Sequence, residues 1–127
     1  MSAVLVDTSV WVGHFRNSNP ELISLLTQDR VITHPMIVGE IACGTPPSPR
    51  DRTLSDLSLL ATSQLAGLRE TRELIERESL YGKGCGLIDM VLLASTLMTT
   101  GAKLWTMDRR LVNLASRFNI AYLPAAH

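Results

Sequence analysis

The chain has 127 residues, 46% hydrophobic and 19% charged, which fits one globular domain with a buried core and argues against disorder. Its twelve basic and twelve acidic residues cancel, so it does not read as a basic, sequence-independent nucleic-acid coat, although most of the cations are Arg, which suits bidentate phosphate contacts. No apolar run reaches membrane length, Met90–Met98 being the longest dense one, and no basic region precedes the first apolar stretch, so neither a membrane span nor a signal peptide is expected.

Ala3–Val6 reads as a short buried strand ending at Asp7, and Asp7-Thr8-Ser9 as a capped turn into a helix through Trp11 and Phe15. Asn19 is placed to cap a helix that opens at Pro20 and runs to Thr27. A second strand is expected over Arg30–Thr33, then a helix opening at Pro35, carrying Glu40 and fading by Gly44. Thr45–Pro49 is a loop; Leu54, Leu57 and Leu60 recur at helical spacing; Ser63–Gly67 is a short strand or a turn. Arg69–Tyr81 is a charged helix, Gly82–Gly86 a flexible loop, and Leu87–Thr99 an apolar, central helix stopped by Gly101. Ala102–Thr106 is a strand, Arg109–Phe118 a helix and Ile120–Leu123 a last strand.

Strands alternating with helices imply an α/β fold with three layers, α/β/α, around a central parallel sheet, with residues 1–127 as one domain. In such sheets ligands bind beyond the carboxyl ends of the strands. Ile23, Leu25, Leu26 and the Leu54–Leu60 stripe are apolar positions for either core or a partner face. Cys43 and Cys85 match no metal spacing and read as reduced packing thiols, which suits the cytoplasm. Trp11 and Trp105 read as core; His14 and His34, with no partner at ligand spacing, read as structural.

Three acids stand out by isolation. Asp7 is the sole full charge in residues 1–15, Glu40 in 31–49 and Asp89 in 84–102. An unpaired buried carboxylate costs several kcal/mol or takes up a proton. Asp108 adds a fourth acid just past a strand end, and the expected topology puts all four on one rim of the sheet. Each has a structural alternative: Asp7, Asp89 and Asp108 as helix caps, Glu40 as the partner of an Arg. A hard divalent cation would compensate all four together; carboxylates and water suit Mg2+ or Mn2+, and the missing His and Cys spacing disfavours zinc.

The acids, their order and their surroundings resemble a PIN-domain ribonuclease, most closely the VapC toxins of bacterial toxin–antitoxin pairs. The matching segments are Val4-Leu5-Val6-Asp7-Thr8-Ser9-Val10-Trp11, Val38-Gly39-Glu40-Ile41, Gly86-Leu87-Ile88-Asp89 with Leu92-Leu93-Ala94-Ser95, and Leu104-Trp105-Thr106-Met107-Asp108-Arg109-Arg110-Leu111. They span almost the whole chain. Leu111 departs from the Phe of many relatives, and Asn113 stands where some place a further acid.

The resemblance implies Asp7, Glu40, Asp89 and Asp108 as the metal-binding, catalytic acids, with Ser9 and Thr106 as supporting hydroxyls. It implies an endoribonuclease toxin using one or two Mg2+ ions to hydrolyse RNA, leaving 5′-phosphate and 3′-hydroxyl ends. It also implies a VapB-type antitoxin partner and a homodimer. Arg109 and Arg110 follow Asp108 and read either as RNA-phosphate contacts or as outward-facing helix charges, and Arg16 and Lys83 read the same way. The competing reading is a degenerate PIN module that only binds RNA or a protein, but such modules usually lack the acids kept here. A phosphoacceptor domain needs adjacent acids after the first strand, and a haloacid-type phosphatase needs Asp-x-Asp; Asp7-Thr8-Ser9 supplies neither.

Overall fold

The computed structural model describes residues 2–124. A three-stranded parallel sheet has the order β2-β1-β3, with β1 (Val4–Val6) between β2 (Val31–Ile32) and β3 (Lys103–Trp105). Val4 faces Val31 on one side and Lys103 on the other; Val6 faces Trp105. All three β1 residues are buried, as a strand flanked on both edges and covered on both faces requires.

Around the sheet run α1 (Thr8–Arg16), α2 (Pro20–Thr27), α3 (Pro35–Cys43), α4 (Arg50–Ser58), α5 (Leu68–Arg77), α6 (Leu87–Met98) and α7 (Arg109–Arg117). The chain crosses from β1 to β2 in one direction and from β2 past β1 to β3 in the other. Right-handed connections then put α1 and α2 on the opposite face from α6, which gives the three layers. The core joins β1 to Leu22 and Leu25 of α2, Ile37 and Ile41 of α3, Leu92 and Leu93 of α6, and Leu111 and Leu114 of α7. Residues Met90–Thr96 are buried without a break, so the apolar run at the start of α6 is the central helix its composition predicts. Trp11 and Trp105 are core residues. No described helix is long and apolar enough to cross a membrane.

Several elements differ from the sequence reading. Ile120–Leu123 is not a strand: Ala121 makes one bridge to Leu104, and the chain leaves the sheet after the rung formed by Leu104 N–H to Ile120 O (2.7 Å) and Tyr122 N–H to Leu104 O (2.8 Å). Pro124 has no N–H with which to extend the pairing. Of the two readings of Ser63–Gly67, strand or turn, the strand does not form. Thr62 bridges Thr33, and the next donors turn to α6 side chains instead, Gln64 N–H to Thr99 Oγ1 (2.9 Å) and Ala66 N–H to Ser95 Oγ (3.0 Å). The charged helix ends at Arg77 rather than Tyr81, because Ser79 turns left-handed (φ 53°) and drives Leu80 into the core. Of the positions open to core or partner face, Leu25 and Leu57 are core residues, while Ile23 is exposed.

Candidate functional site

The chain reverses its direction of travel across the sheet at β1. That switch point lies at the carboxyl ends of β1 and β3, where an α/β sheet offers a ligand site. Asp7 follows β1 directly, and its N–H bonds to Trp105 O (2.9 Å), tying the two strand ends together.

Asp7 is buried, at 6% exposure. It caps α1 by accepting Thr8 N–H at Oδ1 (2.8 Å). Its Oδ2 accepts two hydroxyls, Ser9 Oγ (2.9 Å) and Thr106 Oγ1 (2.8 Å). Both hydroxyls are themselves held by the loop after β3: Met107 N–H donates to Ser9 Oγ (3.0 Å) and Asp108 N–H to Thr106 Oγ1 (3.1 Å). Ser9 and Thr106 therefore lock the first acid to the segment that carries the last one.

Asp108 caps α7 through Arg110 N–H to Oδ1 (2.9 Å), with Arg110 Nε 3.5 Å from the same oxygen. Its slight burial acts to raise its pKa, but hydrogen bonds and charge from Arg110, with Leu111 N–H, hold the carboxyl below its ordinary range. Asp89 lies in the first turn of α6, where Gly86 N–H reaches its Oδ2 (3.3 Å). Burial pushes the Asp89 carboxyl up, and the charges of Asp7 and Asp108 push the same way, against the Gly86 N–H and Arg110. Asp89 thus feels the charge of both Asp7 and Asp108. Cys85, partly buried beside them, has its thiol pKa raised first by burial and then by Asp89 and Asp108.

Glu40 enters through α3. It is half-buried, and its Oε1 accepts Thr8 Oγ1 (2.7 Å). Its helical neighbours Met36 and Cys43 are exposed, so Glu40 is not enclosed by apolar residues as its isolation in sequence suggests, and Cys43 is not a packing thiol. The helix itself is anchored by His34. The ring caps α3 by accepting Met36 N–H at Nδ1 (3.0 Å), which leaves Nε2–H to donate to buried Ser95 Oγ (3.1 Å). Burial lowers the His34 pKa, in keeping with this neutral tautomer. His14 is structural too, accepting Asn19 N–H at Nδ1 (2.9 Å).

Caps thus account for one oxygen of Asp7, Asp89 and Asp108, but not for three carboxylates at one sheet edge. Among the described residues, no three His, Cys, Asp or Glu side chains stand close enough together to hold a metal ion as they are arranged. The donor set still fits a hard cation. It consists of carboxylate oxygens, and among the described residues Asp89 Oδ1 and Glu40 Oε2 accept no hydrogen bond. A cation beside Asp89 would offset the repulsion that Asp7 and Asp108 exert on its carboxylate.

Arg109 is exposed and makes no ion pair among the described residues. Arg110, also exposed, folds back over the Gly82–Gly86 loop. A Cβ on Gly84, at φ +84°, would lie 2.8 Å from Arg110 Cδ, so the loop must have glycine there for the arginine to approach. Sequence reasoning missed Thr8, which it took only as part of a capping turn; the one signal was its place between Asp7 and Ser9. The link to Glu40 depends on how α3 packs on α1, which no local pattern encodes.

The family model for the PIN domain matches residues 4–116 of the chain. The chain is also similar to Ribonuclease VapC32 of Mycobacterium tuberculosis, in strains CDC 1551 / Oshkosh and ATCC 25618 / H37Rv. Identity to each is 36% over 118 residues, covering 93% of this chain and 94% of that protein.

Proposed function

The chain belongs to the PIN-domain family, and from that premise we propose that it is a VapC-type endoribonuclease, a toxin of a toxin–antitoxin pair, that hydrolyses RNA phosphodiesters with a carboxylate-held Mg2+, Mn2+ being an alternative. What supports this reading is the position of Asp7 directly after β1, Asp108 shortly after β3 and Asp89 in the first turn of α6, where it feels both charges, with Glu40 tied in through Thr8. Residues 1–127 act as one catalytic domain in the cytoplasm.

Asp7, Asp89 and Asp108, with Glu40, would hold the cation. Such an ion, when bound, makes water a better nucleophile at neutral pH and offsets charge on the phosphate. Ser9 and Thr106 hold Asp7 in one rotamer, so its carboxylate is set before substrate arrives. Thr8 does the same for Glu40. Asp89 and Glu40, each with one oxygen uncommitted, would orient the attacking water. Arg109 and Arg110 line the same edge and attract phosphates.

The partner is a VapB-type antitoxin, whose basic groups would neutralise the acids, and the toxin pairs as a homodimer. End-labelled total RNA incubated with the antitoxin-free protein tests the proposal. Discrete fragments with 5′-phosphate ends, absent with an Asp7→Asn variant, are expected. Intact RNA in the presence of folded, Mg2+-saturated protein would instead favour a module that only binds.

A further inference from the structure

A cavity of about 410 Å3 adjoins Glu40, between the C-terminal ends of α1 and α3 and beside the loop that follows α3. Phe15, Ile41, Pro46 and Pro47 give it apolar walls, Glu40 forms part of its lining, and Arg16 stands in it as a cation. Arg16 is exposed and joins no ion pair among the described residues. Phe15 is half-buried and lies against Trp11, ring centres 6.0 Å apart, so its position is fixed.

Resting on the ribonuclease reading above, we propose that this cavity is the subsite for the nucleotide next to the scissile phosphate, its base against Phe15 and the proline loop and its far phosphate on Arg16. An RNA strand with one phosphate at the acids must place its neighbouring nucleotides in the adjoining hollows. The other hollow on this edge, about 360 Å3 beside Thr106 and Met107, has Glu21 in its wall and no cation. Tyr122 there donates its hydroxyl to Glu21. The charges thus favour phosphate on the Arg16 side. A planar apolar wall with one phosphate cation accepts any base by stacking, so the subsite imposes shape more than sequence.

Binding of a fluorescein-labelled oligouridylate, followed by anisotropy in EDTA, reads this subsite apart from catalysis. Arg16→Ala should weaken binding severalfold and lower the slope of log affinity against log salt by about 0.7, the loss of one phosphate contact on a single strand. Arg16→Lys should restore that slope. Phe15→Leu, which keeps apolar bulk in α1, should weaken binding about tenfold with the slope unchanged. Arg69→Ala on α5 is the control. With Mg2+ and cleavable RNA, the losses should appear in KM more than in kcat. Wild-type affinity and salt slope in the Arg16→Ala and Phe15→Leu proteins would overturn the subsite, as would variants that lose only a protein partner, since the cavity would then seat a peptide. A wild-type protein that binds through Arg16 and Phe15 yet cuts nothing would sustain the subsite and overturn the enzymatic reading.

Discussion

Replacing Thr106 by Val keeps the shape of a residue that is 5% exposed and removes its hydroxyl. Two interactions go with it. Asp7 Oδ2 loses a charge-assisted bond of 2.8 Å and Asp108 N–H loses its acceptor at 3.1 Å. A hydrogen bond to a charged group contributes about 1.5–3 kcal/mol and a neutral one about 1. Ser9 stays on Asp7 and water can reach the half-buried Asp108, so the net loss should be about 2–3 kcal/mol. For a chain of this length that corresponds to a fall in Tm of about 8–12 °C, taking roughly 4 °C per kcal/mol. Thr106→Ser, which keeps the hydroxyl, should recover most of it. Because Ser9 and Thr106 donate to the same oxygen, a double-mutant cycle with Ser9→Ala should be non-additive. Thermal unfolding followed by circular dichroism, without added metal, measures all four proteins. A Thr106→Val protein melting within about 2 °C of wild type, or an additive cycle, would refute the claim that these hydroxyls hold Asp7 as one unit.

Asp89→Asn should keep the Gly86 cap, since the amide oxygen can still accept, while removing the repulsion with Asp7 and Asp108. The metal-free variant should therefore melt no lower than wild type at neutral pH and should lose the rise in Tm that Mg2+ gives wild type, both readable by thermal scanning. The His34 pKa is lower folded than unfolded, so the unfolded chain binds more protons just below the ordinary histidine value. Stability should consequently fall as pH drops below about 6.5, and urea titrations should show that His34→Gln flattens this dependence. Gly84→Ala should destabilise by about 1–2 kcal/mol from its left-handed backbone, read in a denaturant midpoint, and Arg110→Ala in that background should return little of the loss, because the exposed arginine can swing away.

What the sequence makes legible here is whatever is decided locally. Asn19-Pro20 starts a helix because a cap and a fixed φ act within one turn, and α2 begins at Pro20. The isolated charges of Asp7 and Asp89 stand out because apolar surroundings make an acid costly wherever the chain goes. Ile120–Leu123 has a strand's composition, yet it forms one bridge because β3 is short and Pro124 cannot donate. Thr62 likewise meets Thr33 once before the side chains of Ser95 and Thr99 capture the backbone that follows. Within the site, the Asp7–Ser9 contact spans two residues, whereas Thr8–Glu40 and Asp7–Thr106 join segments 32 and 99 residues apart. Only packing of α3 on α1, and of β3 on β1, brings those together. The same distance in sequence hides the cavity that Phe15 and Arg16 share with Pro46 and Pro47.

The central claim is that these acids cut RNA through a bound divalent cation, and a single reversible assay addresses it. Purified protein is stripped with EDTA, mixed with labelled RNA, and then given Mg2+ in excess of the chelator, with Asp89→Asn carried alongside. No cleavage is expected before Mg2+, cleavage at discrete positions after it, and none at any stage with Asp89→Asn. Cleavage that persists in EDTA, or that Asp89→Asn performs at the wild-type rate, would contradict it.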